Sequence, residues 1–182
     1  MGINLVVAVK GDSPVTNEHA ENSSLREKII EHVFVGEVLS TLWRRGIRNI
    51  EVLKPEVDAG GYDLVMDLQG ISRHIQLKSS FTGASTKTQK VSLALAAKPS
   101  GCVLWIWFDP ETLKLGPFLW FGGKPGEPLP DISNCPVAKH TKANLQRIKS
   151  ERPNHRVLNK SRFNVLKTMD DVLVVLFGPV QG

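Results

Sequence analysis

Apolar and polar positions follow three patterns along this chain, and each marks a different kind of element. Leu25, Ile29, Val33, Leu39 and Trp43 recur near a 3.6-residue period and Gly46 follows as a stop, which predicts a helix from about Ser24 to Arg45. Ser24-x-x-Glu27 at its start reads as a capping box. A strand is then expected over Ile47 to Leu53, and a loop over Lys54 to Gly60. Two strands follow, Gly61 to Leu68 and Ile71 to Ser80, in strict alternation with only Gln69-Gly70 between them, the length of a tight hairpin turn. Thr86 to Lys98 is ambiguous: Val91, Leu93 and Leu95 alternate like a strand, while Leu93 to Ala97 has strong helical propensity, and a helix is the expectation. The third pattern is an unbroken apolar run, Cys102 to Phe108, of the kind found in a central strand covered on both faces. A hairpin through Asp109-Pro110 leads to Phe118 to Phe121. Thr168 is placed to cap a last helix, Met169 to Phe177, ended by Gly178-Pro179. The order helix, strand, strand, strand, helix, strand predicts an α/β or α+β sandwich around one mixed sheet.

At 182 residues the default is a single domain over 1–182, with its core at about 25–108. The longest apolar runs, Val103 to Phe108 and Val172 to Phe177, are far shorter than the roughly 20 residues of a membrane helix. No cationic stretch precedes the apolar residues of the N-terminus, and two cysteines fit a reduced interior, so a soluble cytoplasmic protein is expected. Charge changes the picture more than composition does. Up to Ala138 acids and bases nearly balance, but Lys139 to Lys167 holds nine basic residues against one acid, Glu151. This opens a basic C-terminal extension, about 139–182. Lys139, Lys142, Arg147, Lys149, Arg152 and Arg156 are the candidate contacts to a phosphate backbone, and a solvated basic face is the alternative that charge alone leaves open. Cys135, His140 and His155 match no zinc-finger spacing. Trp105, Trp107, Trp120 and Phe121 lie in apolar runs and read as packing, not as platforms for bases.

A turn at Gln69-Gly70 sets the hairpin register: Leu68 opposite Ile71, Val65 opposite His74, Asp63 opposite Gln76. Tyr62, Leu64, Met66, Leu68, Ile71, Ile75 and Leu77 then share the core-facing side, with Arg73 the exception. Asp63, Asp67, His74, Gln76 and Lys78 share the other. An acid beside an amide carbonyl, with a lysine alongside, offers hard oxygen ligands for Mg²⁺ and a cation for a phosphate or an attacking water. A simply wet, polar hairpin face is the other reading of the same pattern.

Asp63, followed after twelve residues by Gln76-Leu77-Lys78 and preceded by a glutamate-bearing helix, resembles the PD-(D/E)XK nuclease superfamily in its Q-x-K variant. The resemblance covers Leu25 to about Phe108 and implies a restriction-endonuclease-like fold with an α-β-β-β-α-β core. It implies a metal-dependent endonuclease acting on nucleic acid, with DNA the expected substrate and Mg²⁺ or Mn²⁺ the cofactor. Asp63 would be the central metal ligand, Gln76 the second, in the place usually held by an acid, Glu37 the helix carboxylate and Lys78 the catalytic lysine. Tyr62 stands where the family name puts proline. Gln76 removes one negative charge from the metal site, so the implied alternative is a nuclease-like domain that binds nucleic acid or a protein partner without cutting. Glu56 and Asp58 are nearby acids that read as loop residues. A homodimer is compatible with this reading.

Overall fold

The computed structural model describes residues 22–57, 59–140 and 150–179. Along the chain run helix α1 (Ser23–Arg44), strands β1 (Ile50–Leu53), β2 (Leu64–Leu68), β3 (Ile71–Phe81) and β4 (Thr88–Ser92), and the single-turn helix α2 (Leu93–Ala96). Strands β5 (Gly101–Phe108), β6 (Leu115–Gly122), β7 (Val137–Lys139), β8 (Glu151–Asn159) and β9 (Asn164–Leu166) and helix α3 (Met169–Phe177) complete it. Six strands form one sheet in the order β1-β2-β3-β5-β6-β9, in which β3 and β5 are parallel and every other adjacent pair is antiparallel. The remaining strands form a small antiparallel sheet, β4-β8-β7. This is a mixed α+β architecture with a central mixed sheet, as the order of predicted elements implied. Among the described residues no helix is long and apolar enough to cross a membrane.

The unbroken apolar run of β5 is divided between two cores. Cys102, Leu104, Ile106 and Phe108 pack with Phe34 and Leu42 of α1 and with Val172 and Leu176 of α3. Val103, Trp105 and Trp107 point the other way and pack with Val91, Leu95 and Leu158 of the smaller layer. With both faces dry, every β5 residue is buried, which is why no polar position interrupts it. Trp105 is completely buried and its Nε1–H donates to Ser80 Oγ at 3.0 Å. Trp107, Trp120 and Phe121 are buried as well, so all four aromatics are core.

Three local expectations are corrected. Helix α1 begins at Ser23, because the Arg26 N–H donates to the Asn22 carbonyl (2.9 Å) and puts Asn22 at the cap; Ser24 and Glu27 fall within the first turns and form no capping box. Thr86 to Lys98 is mainly strand: Val91 is fully buried opposite Arg156 of β8, and only one helical turn follows, capped by the Ser92 hydroxyl. The partner strand lies far along the chain, within the basic segment, so no local pattern announced it. Tyr62 does not join the helix-side core; it packs with the second cluster, its ring edge-on to His74 at 4.9 Å.

At the other end, Thr168 caps α3 through a full capping box. Its hydroxyl accepts from the Asp171 N–H (3.1 Å), and Asp171 Oδ2 accepts from the Thr168 N–H (3.0 Å). Replacing Thr168 with alanine is expected to lower stability by about 1 kcal/mol. Urea unfolding checks this as a lower midpoint with unchanged slope.

Candidate active site

The hairpin forms as the pattern required. Gln69 (φ 52°) and Gly70 (φ 82°) both take positive φ, the conformation of a type I′ turn that matches strand twist. The register follows from it: Leu68 pairs with Ile71, Val65 with His74 and Leu64 with Ile75. Just beyond β2, the Asp63 N–H donates to the Ile75 carbonyl (2.9 Å) and Asp63 Oδ2 accepts from the Leu77 N–H (2.6 Å). Asp63 is thus tied to both chain neighbours of Gln76. Gly61 makes that approach feasible. It has φ +69°, and a Cβ there would lie 2.5 Å from Ser92 Cβ, so only glycine lets this loop press against the end of β4 and deliver Asp63 to β3.

Asp63, Gln76 and Lys78 line one cavity of about 800 Å³. The start of α1 supplies another wall through Ser24, Glu27, Lys28 and Glu31, and the small sheet supplies the far side through Gln89 and Lys90 of β4 and Arg152 and His155 of β8. The polar hairpin face is therefore covered, not simply wet: Gln76 is only 7% exposed. Its Oε1 is buried and has no hydrogen-bond partner in the protein. An orphaned buried carbonyl costs roughly 1–3 kcal/mol, so it is a position at which a ligand is expected to supply the missing partner. A hard cation fits the donor chemistry: an amide oxygen and a carboxylate lining one cavity are the kind of donors that Mg²⁺ or Mn²⁺ accepts.

Glu37 is not brought to this cavity. It is partly buried on α1, where burial raises its carboxyl pKa and the charge of Lys114 opposes the rise. The helix carboxylates at the cavity are Glu27 and Glu31. Glu31 is 7% exposed and paired with Lys28 (3.1 Å) and Lys54 (2.5 Å). Burial pushes its carboxyl pKa up, but hydrogen bonds and charge from the two lysines outweigh it and hold the pKa below the usual value, so Glu31 is ionised at neutral pH. Glu37, the glutamate that the resemblance implied, is six residues further on and so about 120° round the helix from Glu31; the signal available in the sequence was an acid four residues beyond Glu27 on the same helical face. Among the described residues no group of three or more His, Cys, Asp or Glu side chains stands together as a ready metal cage.

Of the candidate phosphate contacts, Arg152 reaches the cavity. Lys139 is exposed at the end of β7, where its carbonyl accepts from Lys90 Nζ (2.6 Å). Arg156 is committed to backbone: it donates to the carbonyls of Pro153 (2.7 Å) and Ser133 (3.1 Å) and so ties the 131–136 loop to β8. Lys142, Arg147 and Lys149 lie outside the described residues, as does Asp58; Glu56 is exposed and does not line the cavity. His74 packs against Tyr62, and burial, with Lys98 nearby, holds its pKa below the usual imidazole value.

No protein-family model matches the sequence, and none of the curated proteins is detectably similar to it. Among solved structures, a bacterial homing endonuclease aligns with 57% of this chain at 23% identity and a TM-score of 0.33; the aligned part spans 64% of that protein's chain.

Proposed function

We propose that this chain is a metal-dependent endonuclease of the PD-(D/E)XK type, acting on DNA through the cavity that Asp63, Gln76 and Lys78 line. The observation that carries this reading is the orphaned, buried Gln76 Oε1 in a cavity that Asp63 and Lys78 also line. Asp63, Gln76 and one helix carboxylate, Glu31 in place of Glu37, would hold Mg²⁺ or Mn²⁺. When bound, such an ion polarises a phosphoryl oxygen and acidifies a water.

The protein's own groups do the rest. The Leu77 N–H holds one Asp63 oxygen and so fixes the carboxylate against β3. Lys78 is paired in the parallel ladder with the fully buried Trp105 of β5. Its ammonium would stabilise the charge that grows on the phosphoryl oxygens as an in-line water displaces the leaving oxygen. The basic residues on β7, β8 and the segment between them would add backbone affinity without sequence preference.

The absence of a three-acid cage among the described residues favours one rival, a nuclease-like domain that binds DNA without cutting. Gln76→Glu separates the two. A carboxylate at 76 is a stronger ligand for a hard cation than an amide, so the Mg²⁺ concentration giving half-maximal effect on binding or cleavage should fall at least about threefold. Titration of both proteins with Mg²⁺ and Mn²⁺, alongside cleavage assays on duplex, single-stranded and branched DNA and on RNA, checks it. No metal binding by either protein, with no cleavage of any substrate, would establish the binding domain instead.

A further inference from the structure

Strand β8 does not run straight past the cavity. Its pairing with β7 slips between Val137, opposite Arg156, and Ala138, opposite Arg152, so residues 153–155 bulge on the β7 side while His155 still pairs with Ser92 of β4. Pro153, which has no N–H for a ladder, sits inside the bulge. In a regular strand Arg152 and His155, three apart, would point to opposite faces. The bulge brings them together instead, with Arg152 Nη2 3.3 Å from His155 Nε2. Re-aiming side chains beside a site is a common use of bulges.

Both side chains line the main cavity, and both also line a second one of about 530 Å³ that adjoins it. Gln76 is shared in the same way. The two cavities therefore meet along Gln76, Arg152 and His155. Their chemistry differs. The first carries the acids Glu27, Glu31 and Asp63, which stand there among Lys28, Lys78, Lys90 and Arg152, so that chamber mixes both signs. The second has no acid among its described lining residues, and its walls there are short or neutral: Ala59, Gly61, Ser92, Ala94 and Asn154. A chamber whose formal charge is Arg152 suits an anion flanked by an uncharged group. A nucleic-acid strand is a chain of such anions spaced by uncharged nucleosides.

The geometry points to a phosphate clamp made by Arg152 and His155, which grips the phosphate next to the one held at Asp63, Gln76 and Lys78 and leads the strand into the second cavity. This inference rests on the phosphodiesterase reading of the first cavity. The guanidinium offers a planar set of N–H donors suited to two phosphate oxygens. With Nε2 accepting from Arg152, the ring is held against the guanidinium and limits its rotation, so the donors are set before a substrate arrives. The small sheet then works as part of the site and not only as the cover of a second core.

The test needs no turnover. The trinucleotide TpTpT, and two versions in which one linkage or the other is an uncharged methylphosphonate, are titrated in Ca²⁺ while the His155 ring signals, assigned with His155→Gln, are followed by NMR. The charged trinucleotide should move these signals, and neutralising one particular linkage should weaken binding by about tenfold or more in the native protein. Arg152→Met should bind the charged ligand correspondingly more weakly and respond to that neutralisation by less than about twofold. Arg152→Lys, which keeps the charge and loses the planar donor set, should fall between. His155 signals that do not move, or an Arg152→Met protein that responds to the methylphosphonate as the native one does, would overturn the clamp. Cleavage assays report separately on the first cavity. A protein that cuts but passes no clamp test keeps the metal site and loses the clamp; one that passes the clamp test and cuts nothing keeps the clamp and loses the metal site.

Discussion

On the endonuclease reading proposed above, replacing Lys78 with alanine is expected to lower DNA cleavage by at least about a hundredfold, the size of loss seen when one transition-state donor is removed, while leaving DNA affinity within about threefold of the native value. The asymmetry comes from counting charges. Affinity for a phosphate backbone is shared among many cations, and the stretch from Lys139 to Lys167 alone holds nine basic residues, so removing one contact changes the slope of log K against log salt by only about one. Rate is not shared in this way. Lys78 is the β3 lysine that lines the cavity with Asp63 and Gln76, and a charge aimed where negative charge develops lowers the barrier without tightening the ground state. Its removal should therefore appear in kcat with little change in KM. Single-turnover cleavage at saturating enzyme, with anisotropy binding in Ca²⁺, checks both halves. Equal losses in binding and in rate would make Lys78 one more backbone contact and remove it from the chemistry.

Arg73→Met is expected to cost about 3–5 kcal/mol of stability, the largest effect of any single change away from the cavity. Arg73 is completely buried, and its guanidinium joins two distant parts of the chain. Nε donates to the Leu176 carbonyl (2.8 Å) and Nη2 to those of Val175 (2.9 Å) and Gly123 (3.1 Å). Val175 and Leu176 close the last turn of α3, where carbonyls lack helical partners and the dipole favours a cation. Methionine would fill much of the volume but strand those carbonyls in a dry core, and each unsatisfied acceptor costs roughly 1–3 kcal/mol. Urea unfolding should show a much lower midpoint. Arg73→Lys should recover less than half of the loss, because one ammonium cannot match the spread of the guanidinium's donors. A Met variant within about 1 kcal/mol of native would mean that α3 is held by its apolar face alone.

Arg73 also shows where reading a sequence stops. Alternation placed it on the core side of the hairpin as the one polar exception, and the structure keeps it there; its partners, the end of α3 and the loop after β6, lie 50 and more residues away, so no pattern within β3 could supply them. The same division runs through the site. Period-2 alternation and a two-residue turn predicted strands over Gly61 to Leu68 and Ile71 to Ser80; the structure keeps Leu64–Leu68 and Ile71–Phe81 in the predicted register, with Asp63 just outside the ladder but lining one cavity with Gln76 and Lys78, because strand pairing across a tight turn is local and a slip by one residue would turn the apolar face outward. The stop at Gly46, the capped helix from Met169 and the doubly buried β5 were legible for the same kind of reason. What lay beyond local pattern was everything set by contacts distant in sequence. The small sheet pairs Thr88–Ser92 with 155–159 of β8, a polar, proline-interrupted strand without alternation, and that pairing makes a strand where a helix was expected. Which glutamates of α1 line the cavity depends on how the helix axis crosses the sheet, and these are Glu27 and Glu31, not Glu37. Charge density alone marked a basic segment; the bulge at Pro153 decided that Arg152 and His155 enter the cavity, while Arg156 was spent on holding a loop. Local backbone preference and hydrophobic period therefore determined the hairpin and its three polar groups, whereas long-range burial, which no window of sequence contains, decided what surrounds them.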